Sequence, residues 1–177
     1  MRRLMVLLLA VCACAEEAAP DAVDAQLFPT DEAPPPVVNG CGDATVYLRN
    51  PADTAAIVLD IPGIVAAAHA APGPIRRSVQ MPDPLLSGEQ WRGARVTSAT
   101  CTGVIMPPGP NIRVRKPLVG GTVTLIAVPS VGFPGMPPAA DLDITLQDPE
   151  FQEPNGAITV VHGTFTLPTV MAGGFYP

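Results

Sequence analysis

A proline stands about once in every eight residues of this chain, 23 in 177. Each one fixes φ and removes a backbone N–H, so an α-helix interior does not survive such spacing. Long helices are excluded as the framework. Proline with glycine (16 residues) approaches the ~25–30% at which a chain reads as low-complexity. Yet hydrophobic residues make up 47% and charged residues only 15%, too apolar a balance for a disordered chain. What remains is a packed core assembled from short extended segments, and 177 residues suit one domain with a tail.

The side chains between the prolines agree. Residues 41–177 hold 14 Val, 9 Ile and 12 Thr against 9 Leu, and branching at Cβ favours the extended chain. The expected fold is all-β: one antiparallel β-sandwich or barrel-like, Ig-like domain with at most one short helix. Candidate strands are Ala44–Arg49, Ala55–Ile61, Ile75–Gln80, Arg92–Ala99, Asn111–Arg115, Gly121–Val128, Asp141–Gln147 and Ala157–Leu167. In Asp141–Gln147 the apolar Leu142, Ile144 and Leu146 alternate with Asp141, Asp143, Thr145 and Gln147, the pattern of a half-buried strand. Asn155-Gly156 then supplies a hairpin turn, with Ala157–Leu167 returning. Gly63–Ala71 reads as a one- or two-turn helix, with continuation of the preceding strand as the alternative. Val131–Pro138 reads as a loop, and Gly120-Gly121 as a turn.

The N-terminus reads as an address. Arg2 and Arg3 precede the apolar run Leu4–Val11, which is too short to span a bilayer. Val11-Cys12-Ala13-Cys14 resembles the lipobox of bacterial lipoprotein precursors, with Cys12 departing from the usual small residue at its position. That resemblance implies lipidation of Cys14, attachment to a membrane through the lipid, and residence in the cell envelope, at the outer membrane or cell surface. The other reading is an Ala13-Cys14-Ala15 signal-peptidase site releasing a periplasmic or secreted protein. Residues 15–40 carry six acids, no Lys or Arg, and Pro34-Pro35-Pro36; they read as a disordered acidic tether. The division expected is therefore 1–14 signal, 15–40 tether and 41–177 β-domain.

Cys41 and Cys101 are the two cysteines of the domain. An even pair in an exported chain reads as a disulfide. A metal or redox pair lacks its spacing, because there is no C-x-x-C and neither His69 nor His162 lies near a cysteine. No metal and no cofactor is expected.

Chemistry is sparsely provided for. Only His69 and His162 offer a base for a hydrolase, and there is no G-x-S-x-G elbow. Asp141, Asp143, Asp148 and Glu150 read as a solvated strand face rather than a calcium site. Arg76-Arg77 and Arg113-Arg115-Lys116 read as protection of strand edges. The domain holds 10 acids and 8 basic residues, so no basic stripe supports nucleic-acid binding. Trp91, Tyr47 and His162 are the candidate ligand contacts, with Trp91 and Tyr47 suited to a glycan if both are exposed. The leading expectation is a non-catalytic lipoprotein binding or scaffolding an envelope protein or glycan. The alternatives are an exported hydrolase, and a subunit of an envelope assembly that pairs through a strand edge.

Overall fold

The structure, a computed structural model, describes residues 36–101, 108–131, 135 and 137–173. The signal, Cys14, the tether up to residue 35 and the terminal aromatics Phe175 and Tyr176 lie outside the described residues, as does part of the Val131–Pro138 loop. Three strands open the fold as a meander, β1 (Val37–Cys41), β2 (Thr45–Arg49) and β3 (Ala55–Asp60), paired antiparallel. Buried Asn50 makes the β2–β3 turn: its Oδ1 accepts from the backbone of Thr54 and Ala55, and its Nδ2 donates to Thr54 Oγ1. A helix of about two turns, α1 (Ile64–Ala70), follows. The strands then run β4 (Ile75–Gln80), β5 (Ser87–Ala94), β6 (Asn111–Ser130), β7 (Ala139–Gln152), β8 (Ile158–Val160), β9 (Thr164–Thr166) and β10 (Val170–Gly173).

Strand β6 organises everything else. Its first half pairs with β5 and its second half with β4, while β7 runs along its opposite edge from Leu118 to Ser130. Strand β7 in turn carries β8, β9 and β10 on its far edge. All pairings are antiparallel, and the order β1-β2-β3-β5-β6-β7-β10 forms one open, curled sheet. The curl brings β1 close to β10: a Cβ built on Gly40 would lie 2.8 Å from the Met171 carbonyl oxygen. The all-β, barrel-like expectation holds.

One strand of 20 residues can serve two sheet halves only if it bends. The bend lies at Gly120-Gly121, where the β6–β7 register shifts twice. Gly121 has φ +88°, and opposite it Asp148 has φ +44°. This is a bulge, which lets a strand turn a corner without losing its neighbours. The Gly-Gly turn read from sequence is therefore corrected to a bend, and Asn111–Arg115 and Gly121–Val128 are two parts of one strand.

The concave side of the sheet closes over the core. Val46, Leu48, Ile57 and Leu59 face Val123, Leu125, Leu142, Ile144, Leu146 and Phe151, all essentially without solvent contact. Each such side chain contributes roughly 1.5–3 kcal/mol by leaving water. Helix α1 adds Ile64, Val65 and Ala68 to the same cluster, which settles Gly63–Ala71 as helix. Leu142, Ile144 and Leu146 point inward as the alternation requires.

Other boundaries move. Val37–Gly40, assigned from composition to the tether, belong to β1, because their ladder with β2 satisfies the backbone. Of the expected strand Arg92–Ala99 only Arg92–Ala94 is extended, as the end of β5; Arg95 takes φ +52°, and Asp53 Oδ1 accepts from Thr97 N and Oγ1, holding the next residues in turns. Ala157–Leu167 divides into β8 and β9 around Gly163, whose φ is +128°. The Asn155-Gly156 turn is present, with a three-residue loop between Glu153 and Ala157 and Gly156 at φ +86°. Strand β10 has no counterpart among the expected segments.

Candidate functional site

The convex side of β2, β3, β5 and β6 carries a second, smaller cluster. Tyr47, Ala56, Val58 and Val96 are buried there, with Trp91, Cys101 and Ile112 against them. Residues 95–101 cross this face, and the bond between Cys41 and Cys101 (S–S 2.05 Å) joins them to β1. That segment explains Tyr47. Only 7% of it is exposed, and its hydroxyl accepts a hydrogen bond from Asn39 Nδ2 at 3.2 Å. Tyr47 is thus a core residue of this face, not a platform open to a ligand.

Trp91 is half-buried at the edge of the same cluster. Its Nε1–H donates to Glu89 Oε2, which also accepts from Arg115 Nη1 at 3.0 Å. The Arg115 guanidinium lies over the indole, 4.7 Å from the ring centre. Strand pairing produces this set. Trp91 stands opposite Arg115, and Glu89 is two residues from Trp91 on the same side. The contact contributes about 0.5–1 kcal/mol at such an exposed site. It also covers an indole face that a sugar ring would stack on.

One hollow adjoins this set, and a second shares part of its lining. The first, of about 370 Å³, runs from Trp91 and Arg115 past Asp60 and Ser87 to the segment at Asp83. Buried Val58, Met81 and Leu86 supply apolar wall. The second, of about 360 Å³, lies beside Asp43, Thr45 and Pro84, and shares Asp60, Leu86 and Ser87 with the first. Neither hollow is lined by a histidine.

The histidines stand elsewhere. His69 on α1 uses Nε2 to donate to the Ala139 carbonyl at 2.7 Å, tying the helix to β7. His162 lies between β8 and β9 with an exposed side chain, its Nδ1 3.7 Å from Asp148 Oδ1. Trp91 and Tyr47 therefore share one face, whereas His162 sits on the sheet half built around β7. Two of the four carboxylates weighed as a calcium set have structural partners: Asp143 accepts from Thr169 Oγ1 and Asp148 from Gly163 N. Among the described residues no group of three or more His, Cys, Asp or Glu is arranged to hold a metal ion. No helix among them is long and apolar enough to cross a membrane.

The basic clusters separate in the same way. Arg115 is the cation over Trp91. Lys116, one residue on, faces inward opposite Gln90 and is 5% exposed. Its Nζ donates to Glu153 Oε1 at 2.6 Å, which also accepts from Thr159 Oγ1 at 2.7 Å. Burial alone would raise the Glu153 carboxyl. The hydrogen bonds from Lys116 and Thr159, with the charges of Lys116 and Arg92, outweigh it and hold the group below its ordinary value. So Lys116 is an interior ion-pair partner rather than edge protection. Arg76 and Arg77 do lie on an edge strand, since β4 pairs with β6 alone among the described strands. Arg77 stands opposite Leu125 on the core side of that edge, and Arg76 opposite Ile126 on the outer side.

Sequence reasoning found Trp91 but missed Glu89, Asp60 and Asp83 beside it. The signal for the first was Glu89-x-Trp91 alternation, lost because the expected strand began at Arg92. No family model, no curated protein and no solved structure matches this chain.

Proposed function

We propose that this chain is an exported lipoprotein, anchored through Cys14, whose β-domain binds or scaffolds a partner in the cell envelope without catalysis. The observation that supports export most directly is the Cys41–Cys101 bond, which belongs to an oxidising compartment. It ties the first strand to the segment covering Tyr47, so the convex face depends on it. The absence of catalysis is favoured by how the titratable groups are used. His69, Asp143, Asp148, Lys116 and Glu153 each hold backbone or side chain in place. Both hollows are lined by Ser87, but neither is lined by a histidine that could serve it as base.

Pairing through a strand edge is the second reading, favoured by the edge of β4 that no other described strand shares. Arg77 on its core side opposes simple self-pairing of that edge. Metabolic labelling with a palmitate analogue tests the anchor. Label on the wild type and none on Cys14→Ala is expected; an unlabelled but exported wild type overturns the lipoprotein reading.

A further inference from the structure

We propose that the two hollows around residues 81–86 form a docking surface for an extended partner segment carrying basic side chains. This rests on the binding-module reading and names its partner class. The hollows meet at Asp60, Leu86 and Ser87. Their charged lining is Asp43, Asp60, Asp83, Glu89 and Arg115. Glu89 and Arg115 neutralise each other at 3.0 Å, so the remaining charges are all negative. Each of the three aspartates is held through one oxygen: Asp60 Oδ1 accepts from Thr45 Oγ1, Asp83 Oδ1 from Leu85 N, and Asp43 Oδ2 from Gly63 N. The other oxygen of each has no protein donor among the described residues.

The apolar wall beneath them completes the match. A lysine or arginine needs apolar surface for its methylene stem and acceptors for its head. Val58, Met81 and Leu86 give the first, and the aspartates give the second. A hollow of about 370 Å³ is at the small end of ligand sites and suits one or two side chains rather than a large cofactor. A neutral sugar is the poorer fit, because Arg115 lies over Trp91. An anionic ligand would meet three unneutralised carboxylates.

Trp91 lines the first hollow and is the one tryptophan of the chain, so its fluorescence reports this surface and not the acidic tether. The test titrates the exported protein in detergent with three probes: an end-capped peptide bearing two arginines, its citrulline counterpart, and a neutral oligosaccharide such as cellopentaose. A saturable Trp91 response to the arginine peptide alone is expected, weakening steeply between about 0.02 M and about 0.5 M salt. Asp60→Asn with Asp83→Asn should weaken it by about tenfold or more, with the unfolding transition retained. A single Asp83→Lys substitution on the rim should abolish it. An equal response to citrulline, a response to the oligosaccharide alone, undiminished binding by these variants, or no response to any probe overturns the proposal. Palmitate labelling is indifferent to all of these results, so failure here leaves the lipoprotein reading to its own test.

Discussion

Gly121 and Gly156 share nearly the same backbone, φ +88° and +86°, in opposite surroundings. A Cβ at Gly121 would lie 2.6 Å from the Asp148 carbonyl oxygen and 2.8 Å from that of Gln147, whereas at Gly156 nothing stands within 4 Å. Alanine at either position incurs the left-handed strain of an L-residue, about 1–2 kcal/mol. At Gly121 it must also push apart the β6 and β7 backbones where the long strand bends, a packing cost of about 1–3 kcal/mol. Gly156→Ala should therefore lose about 1–2 kcal/mol and Gly121→Ala about 2–5 kcal/mol. At an m-value of about 2 kcal/mol/M in urea, the midpoints fall by about 0.5–1 M and about 1–2.5 M. Equilibrium urea unfolding of the oxidised protein, followed by far-UV circular dichroism and by Trp91 emission, reads both values. Equal losses at the two positions would refute the close approach of β6 and β7 at the bend, and with it the account of how one strand serves both sheet halves.

Replacing Cys41 and Cys101 together with serine should cost about 4 kcal/mol by loop entropy for a 60-residue separation; non-reducing mass spectrometry and urea midpoints check the bond and its worth. Glu153 is held below its ordinary pKa in the fold, so its stabilising contribution is complete at neutral pH and is lost as pH falls through that lowered value. Glu153→Gln should lower stability at pH 7 and flatten the acid limb of a stability–pH profile; an unchanged acid limb would contradict the pairing with Lys116. Removing the inward charge of the edge strand with Arg77→Val should promote self-association, seen as a larger species in sedimentation velocity as concentration rises.

Strand identity was legible wherever one face is wet and the other buried. Asp141–Gln147 shows this best, since Leu142, Ile144 and Leu146 could reach the core in one register only. Strands β2 and β3, covered on both faces, were placed within a residue of their ends by their apolar and β-branched runs instead. Alternation failed for Ser87–Gln90, where Gly88 and buried Gln90 occupy the inward positions and no apolar pattern survives. Gly88 is small because Leu59 and Leu118 fill its space, each within 2.9 Å of where a Cβ would be. That missing strand is also why Glu89 was not seen beside Trp91.

Proline spacing and β-branched runs determined the all-β class, an even cysteine count the disulfide, and alternation the inward face of β7, because each depends on local preference or on simple parity. Tertiary structure alone decided that Gly120-Gly121 bends a strand instead of ending it. It also decided that Lys116 turns inward to Glu153 while Arg115 turns outward to Trp91, and that Tyr47 is covered. These outcomes depend on which strand lies opposite, and no residue carries that information in its own neighbourhood.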